Sequence, residues 1–309
     1  MLTERMHRIR EIINTPRTHR QIYKDKAKFL QICSSLDVID DTQLAISHYR
    51  LNAQSMNEFG LYLYIYGLLQ AFHVQQDAVI SLAKALNIRI DLTTRLREIR
   101  ETRNDCIGHP TNRRLKKDNE CYVFINRPSL TWRGFTISFY SRDEGMSYKQ
   151  IDLYQMIQDQ EVEICAILDK IIAELEERDK ALKAKYASKP LSQILSHNFD
   201  YATQKIYEAI FKCDVSRVAQ YWLSKIVTKL ETVNKEYLKR EGGISDHLQH
   251  DFDLCQYAVK QLDAWFASRQ NQSVSNSKLF QAEVLYEFLR NKVNEIIEIL
   301  AELDTEYSQ

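Results

Sequence analysis

Seven glycines and four prolines in 309 residues leave this chain few places to break a helix. Average proteins use both residues several times more often. Breakers this scarce predict long helices and few tight turns. The chain is 44% hydrophobic, so these helices have material for real cores. Its length suits one large or two medium domains. The expected fold class is all-α in the main.

Hydrophobic spacing places the helices. Residues 3–14 read as a short amphipathic helix with Met6, Ile9, Ile12 and Ile13 on one side, stopped by Pro16. A second run covers about 18–36, with Tyr23, Phe29, Leu30 and Ile32 apolar. Asp40, Asp41 and Thr42 offer an N-cap for a run beginning near Leu44. Residues 57–87 read as one long helix, whose first half is apolar nearly all round and is expected to be buried. That half also alternates as a strand would. The helical pattern continues unbroken through residues 70–86, which decides for the helix. Asp91 and Thr93 can cap the next helix, which runs to about Ile107 and ends at Gly108 and Pro110.

At residue 120 the character changes. Cys121–Ile125 and Phe135–Tyr140 are rich in β-branched and aromatic residues, joined by turn residues from Asn126 to Gly134. This predicts one β-hairpin at about 120–140, packed on the surrounding helices. The helical period returns from about Tyr148 to Tyr186, and the charged end of that run reads as a solvated connector. Ser188 to Pro190 marks a boundary between a domain at 1–187 and a second helical domain at 191–309. Helices at 191–211, 214–240, 245–270 and 276–305 with short links predict an up-down bundle there.

Lys and Arg total 42, as do Asp and Glu, so the net charge is zero. That excludes a wholesale nucleic-acid coat and leaves room only for a local phosphate-binding patch. Six scattered cysteines without a C-x-x-C pair suit free thiols in a reducing cytosol. The first residues lack the apolar core of a signal peptide. The most apolar stretch, Phe59 to Leu69, is too short to span a bilayer. The expected location is the cytoplasm, with no membrane partner.

The segment with the sharpest chemistry is Arg103-Asn104-Asp105-Cys106-Ile107-Gly108-His109-Pro110. Arginine can hold a phosphate and its developing charge, and histidine can move a proton near neutral pH. Residues 89–117 hold nine Lys/Arg against four acids, a local surplus of five positive charges in a neutral chain. Arg100 and Arg103 lie one helical turn apart. Arg100, Arg113, Arg114, Lys116 and Lys117 are therefore candidates for binding a phosphate backbone. The competing structural reading pairs Arg103 with Glu98, Glu101 or Asp105 and lets His109 cap a helix end.

A long apolar helix with Gln75-Gln76-Asp77-Ala78, a basic helix, then Arg103-Asn104 and His109 five residues after the arginine resemble the HEPN superfamily. The likeness covers about 57–117. The hairpin lies outside the family's minimal bundle, and 191–309 resembles no family we can name. The resemblance implies a helical bundle that dimerises and a metal-independent endoribonuclease of defence or toxin systems. Carried onto this chain, Arg103 contacts the scissile phosphate, His109 is general acid or base, and Asn104 orients one of them. The RNA 2′-OH would attack its own phosphate and leave a 2′,3′-cyclic end. No cofactor or metal is implied. The second domain is then expected to bind a protein partner or sense a trigger. The alternative is a non-catalytic interaction or nucleotide-binding protein with a degenerate motif.

Other clusters read as structural. Asp246, His247, His250, Asp251 and Asp253 fit a solvated helix face better than a metal site. His73 is expected to be a satisfied core or interface histidine, His197 a surface residue, and Cys106 a packing residue. One hairpin face is expected to pack on the bundle and the other to shield a dimer interface. Base stacking by Tyr122, Phe124, Trp132, Phe135, Phe139 and Tyr140 competes with this reading. Arg127, Trp132 and Arg133 are expected to be exposed at its tip.

Overall fold

The computed structural model describes residues 1–108, 113–116, 119–141, 145–212, 216–269 and 276–308. The architecture is mainly α-helical, with a small antiparallel sheet inserted in the first of two compact units. The units are Met1–Glu176 and Glu177–Gln309, so their division falls inside a helix. No helix among the described residues is long and apolar enough to cross a membrane.

The first unit begins with α1 (Leu2–Ile13), which buries Met6, Ile9, Ile12 and Ile13 as its spacing predicts. Pro16 opens α2 (Pro16–Tyr23) from its first position, where the missing N–H costs nothing. Asp25 then caps α3 (Lys26–Asn52) through the Lys28 N–H. Two expectations fail here. The run expected as one helix over about 18–36 is divided at Lys24-Asp25 between α2 and α3. The helix also runs unbroken through Asp40-Asp41-Thr42. Thr42 turns its hydroxyl back onto the carbonyls of Val38 and Ile39 instead of capping a new start, and Asp40 pairs with Arg10.

α4 (Glu58–Ala85), capped by Asn57, is the long helix of 57–87. It lies chiefly against α3. Leu61, Ile65, Leu68, Leu69 and Phe72 enter the core. Its first half is not buried all round, because Phe59 is 86% exposed and Leu63 is 73% exposed. α5 (Thr94–Arg103) starts on a Thr93 cap and packs on α4. It passes into a wider π-type turn at Asn104–Gly108.

The predicted hairpin is the centre of a four-stranded sheet in the order β1 (Arg113–Lys116), β2 (Asn119–Ile125), β3 (Gly134–Ser141) and β4 (Gly145–Asp152). Tyr148 therefore lies in a strand, not in the helix expected to begin there. Neighbouring strands are antiparallel, with Phe124 opposite Ser138 and Ser138 opposite Tyr148. One face buries Cys121, Val123, Phe135, Ile137 and Ile151 against the helices. At Gly134 the strands approach so closely that a Cβ would sit 2.0 Å from the Ile151 carbonyl oxygen, which only glycine avoids. Arg127 and Arg133 are exposed, but Trp132 packs against the core and Arg133 lies 4.9 Å over its ring.

α6 (Leu153–Tyr186) follows at once. Its charged end is more than a solvated connector. Leu175 joins the core of the first unit, and Tyr186 that of the second.

In the second unit the expected helix at 191–211 breaks into α7 (Leu191–Ser196) and α8 (Phe199–Phe211) at Asn198, which adopts φ +59°. Then come α9 (Ser216–Glu241), α10 (Asp246–Ser268) and α11 (Asn276–Ser308), close to their predicted positions. Asp304 accepts from the Leu191 and Ser192 N–H groups at 2.7 and 2.9 Å, fixing the start of α7. Buried Arg240 stacks on Tyr186 and faces Asp304 at 3.7 Å. Asp251, expected on a solvated face, is buried and held by Lys292 Nζ at 3.2 Å. His247 lies 3.7 Å from the same carboxylate.

Candidate functional site

α4 and α5 build the site between them. Arg100 and Arg103 leave α5 on one side and meet polar residues of α4. Gln70, His73 and Asp77 recur at helical spacing, so they share a face. Arg100 Nη1 donates to Asp77 Oδ1 at 2.7 Å, an ion pair that compensates its charge. Arg103 differs. Its Nε and Nη2 donate to the single oxygen Gln70 Oε1 at 3.2 and 2.9 Å. Its Nη1 donates to Asn104 Oδ1 at 3.2 Å. Neutral amides hold this guanidinium, and no carboxylate among the described residues pairs with it. The pairings with Glu98, Glu101 or Asp105 that compete in the sequence do not form.

The π-type turn folds back over this arginine. A Cβ on Gly108 would lie 3.0 Å from Arg103 Nη1 and 3.3 Å from Asn104 Oδ1. Any larger residue would press on the pair. Asp105 and Cys106 on the same turn are buried. Burial pushes the Asp105 carboxyl up to about 6, with Lys149 opposing. Burial raises the Cys106 thiol to about 12, so it stays protonated and packs as expected.

His73 is half-buried, not satisfied as expected. Nε2 lies 3.4 Å from Asp77 Oδ2, while Nδ1 is buried without a hydrogen-bond partner. Burial first, then the positive charges of Arg100 and Arg103, lower its pKa against the pull of Asp77. The ring is therefore neutral at pH 7. Sequence reasoning missed Gln70, His73 and Asp77 as members of the site. Their shared spacing on an otherwise apolar helix was the available signal.

Beneath the site lies a buried amide cluster. Gln76 Nε2 donates to Gln160 Oε1 at 2.8 Å and to the Leu96 carbonyl at 3.2 Å. Gln160 Nε2 donates to Gln75 Oε1 at 2.9 Å and to the Phe72 carbonyl at 3.2 Å. Three helices, α4, α5 and α6, are tied at this point. The tie between Gln76 and α5 fixes the register in which Arg103 meets Gln70.

His109 and Lys117 lie outside the described residues, as do Pro110 and Asp118. Arg113, Arg114 and Lys116 belong to the edge strand β1. Among the described residues no group of His, Cys, Asp and Glu is arranged to hold a metal ion. A separate cleft of about 540 Å³ is lined by Arg5, Arg50, Glu161, Cys165 and Asp169. Its arginines are paired, Arg5 with Asp169 at 2.7 Å and Arg50 with Glu161 at 2.8 Å. It contains none of the Arg103 site.

No family model matches the chain, and no curated protein and no solved structure is significantly similar to it.

Proposed function

We propose that the chain is a metal-independent endoribonuclease of HEPN type, acting as a homodimer through residues 1–187. The observation that carries this reading is that amides hold Arg103 and no carboxylate among the described residues pairs with it. A guanidinium aimed by amides and left without a carboxylate keeps its attraction for a phosphate. Arg100, neutralised by Asp77, contributes less. Arg103 holds the scissile phosphate, Asn104 orients Arg103 through its Oδ1, and His109 moves the proton as general acid or base. Gly108, the residue before His109 in the chain, closes on Arg103, which supports their acting together. The 2′-OH attacks the adjacent phosphate, the 5′-oxygen leaves with a proton, and a 2′,3′-cyclic phosphate remains.

The dimer reading rests on α4. Phe59, Leu63, Gly67 and Gln70 form a stripe at helical spacing, and the first two are largely exposed. No atom lies within 4 Å of where a Gly67 Cβ would be, so a second helix has room to approach closely. The stripe ends at Gln70, which holds Arg103. Two copies meeting along it bring two Arg103 sites toward a common axis. The second unit is left to bind a protein partner or a trigger of a defence or toxin system. The protein's place in the cytoplasm belongs to the same reading.

Incubation of the purified full chain with mixed RNA in excess chelator tests the proposal, with cyclic-phosphate ends as the readout. Cleavage is expected for the parent and absent for His109→Ala and Arg103→Ala, both with unchanged circular dichroism melts. Equal cleavage by His109→Ala refutes the catalytic assignment. Nucleotide binding by the parent without cleavage establishes the non-catalytic alternative.

A further inference from the structure

The sheet's second face is aromatic, and the helices do not cover it. Phe124 is 56% exposed, Tyr140 45% and Tyr148 69%. The register puts them together. Phe124, Ser138 and Tyr148 form one cross-strand row, and Tyr122, Tyr140 and Met146 form the next. Opposed residues share a face of an antiparallel pair, so a small serine sits between two aromatic residues that are two strands apart. At about 4.8 Å per strand that separation is roughly 10 Å.

We propose that this face binds single-stranded RNA by stacking unpaired bases on Phe124, Tyr140 and Tyr148. The inference rests on the RNA-cleaving reading for its choice of nucleic acid, and it adds that the substrate is single-stranded. A base in a duplex is already stacked, whereas an unpaired one offers its π-face to an aromatic ring.

Area decides against a second copy of the chain. Two rows spanning three strands cover on the order of 200 Å² at these spacings. A stable protein interface needs about 800 Å² from each partner. One or two bases need no more than the sheet offers. Charge agrees. Residues 113–152 carry eight Lys/Arg against five acids. Arg127 is exposed, and the edge strand β1 contains Arg113, Arg114 and Lys116. The same sheet reaches the site with its other face. β2 packs on the Asn104–Gly108 turn that closes over Arg103, and β4 borders α5 across a small cleft lined by Glu98, Thr102 and Lys149.

The test is fluorescence anisotropy of the full chain with an oligonucleotide of about 12 residues, fully 2′-O-methylated. It lacks the attacking hydroxyl and cannot be cleaved. Phe124→Ala and Tyr148→Ala are each expected to weaken binding roughly five- to a hundredfold, the range set by one base–aromatic stack. Tyr148→Phe, which keeps the ring, should bind within about twofold of the parent. The same sequence as a duplex should bind more weakly than the single strand. Alanine variants that bind as the parent does overturn the inference, as does a parent without saturable binding. So does a change in mass by light scattering for Tyr148→Ala without RNA, which would mark a protein interface. Because the probe cannot be cut, the two proposals fail separately. Stacking loss in a protein that cleaves nothing supports the sheet site and overturns the catalytic reading. Cleavage by a protein whose alanine variants bind normally does the reverse.

Discussion

Replacing Gln160 with leucine removes three buried hydrogen bonds while nearly keeping the side-chain volume. Gln160 accepts from Gln76 Nε2 at 2.8 Å and donates to Gln75 Oε1 at 2.9 Å and the Phe72 carbonyl at 3.2 Å. The Phe72 carbonyl keeps its place in α4. Gln76 Nε2 keeps the Leu96 carbonyl but loses one partner, and Gln75 Oε1 loses its one partner among the described residues. Gln75, Gln76 and Gln160 are all fully buried, so no water replaces these bonds. Two orphaned groups cost about 1–3 kcal/mol each. The added apolar burial of leucine offsets about 1–2 kcal/mol. The net loss is about 1–4 kcal/mol, or roughly 2–15 °C in melting temperature for a unit of this size. Gln160→Glu is expected to be worse at pH 7, since a carboxylate would face two carbonyl oxygens it cannot donate to. The assay is a thermal and urea melt of the parent, Gln75→Leu, Gln160→Leu and the double variant. The cycle should show coupling of about 0.5–3 kcal/mol. A Gln160→Leu melt within about 1 °C of the parent, or strictly additive losses, refutes the cluster's role.

Two further outcomes follow from the same geometry. Asp105 has a folded pKa of about 6, above the unfolded value of about 3.9, so the folded state binds more protons between them and stability falls as pH rises from about 4 through 6. The shift corresponds to about 3 kcal/mol; Asp105→Asn should remove that slope in urea melts at pH 4 and pH 8, and an unchanged slope rejects the burial argument. Phe59→Glu combined with Leu63→Glu places two charges on the exposed stripe of α4 and should convert a dimer to a monomer in light scattering without moving the melt, while an unchanged mass places the interface elsewhere.

Much of the fold was readable where a local rule had no competitor. Rare glycine and proline made the long helices, and β-branched runs marked β2 and β3. β4 was hidden because this edge strand touches the core little. In β4 only Ile151 is buried, so its other residues carry no apolar signal. Thr42 misled because a hydroxyl that can cap a helix can also bond back inside one. The site was half legible. Arg103 and Asn104 stand together as their adjacency suggests. Their holder, Gln70, is 33 residues away from Arg103, and a single sequence does not pair such residues. The Gln76–Gln160 bond spans 84 residues and was equally invisible.

Arg100 and Arg103 lie on one helix side and have the same chemistry, yet among the described residues only Arg100 meets a carboxylate. The difference is the atom each meets on α4, a carboxylate oxygen of Asp77 or an amide oxygen of Gln70. Gln70→Glu turns the second case into the first with no change in shape. Arg103 Nε and Nη2 already converge on Gln70 Oε1 at 3.2 and 2.9 Å, so a carboxylate there forms a close ion pair. The pair is partly exposed, and its contribution to stability is small, about 0–1 kcal/mol. Its effect on a bound phosphate is larger, because the new carboxylate neutralises the arginine before RNA arrives. Cleavage and binding of the 2′-O-methyl strand should both fall about tenfold or more, a change of about 1.4 kcal/mol. The melting temperature should stay level or rise slightly. Gln70→Leu separates charge from aim, since it leaves the guanidinium uncompensated but lets it swing. It should lower kcat more than it weakens binding. A Gln70→Glu protein that binds and cleaves like the parent would show that Arg103 does not hold the phosphate.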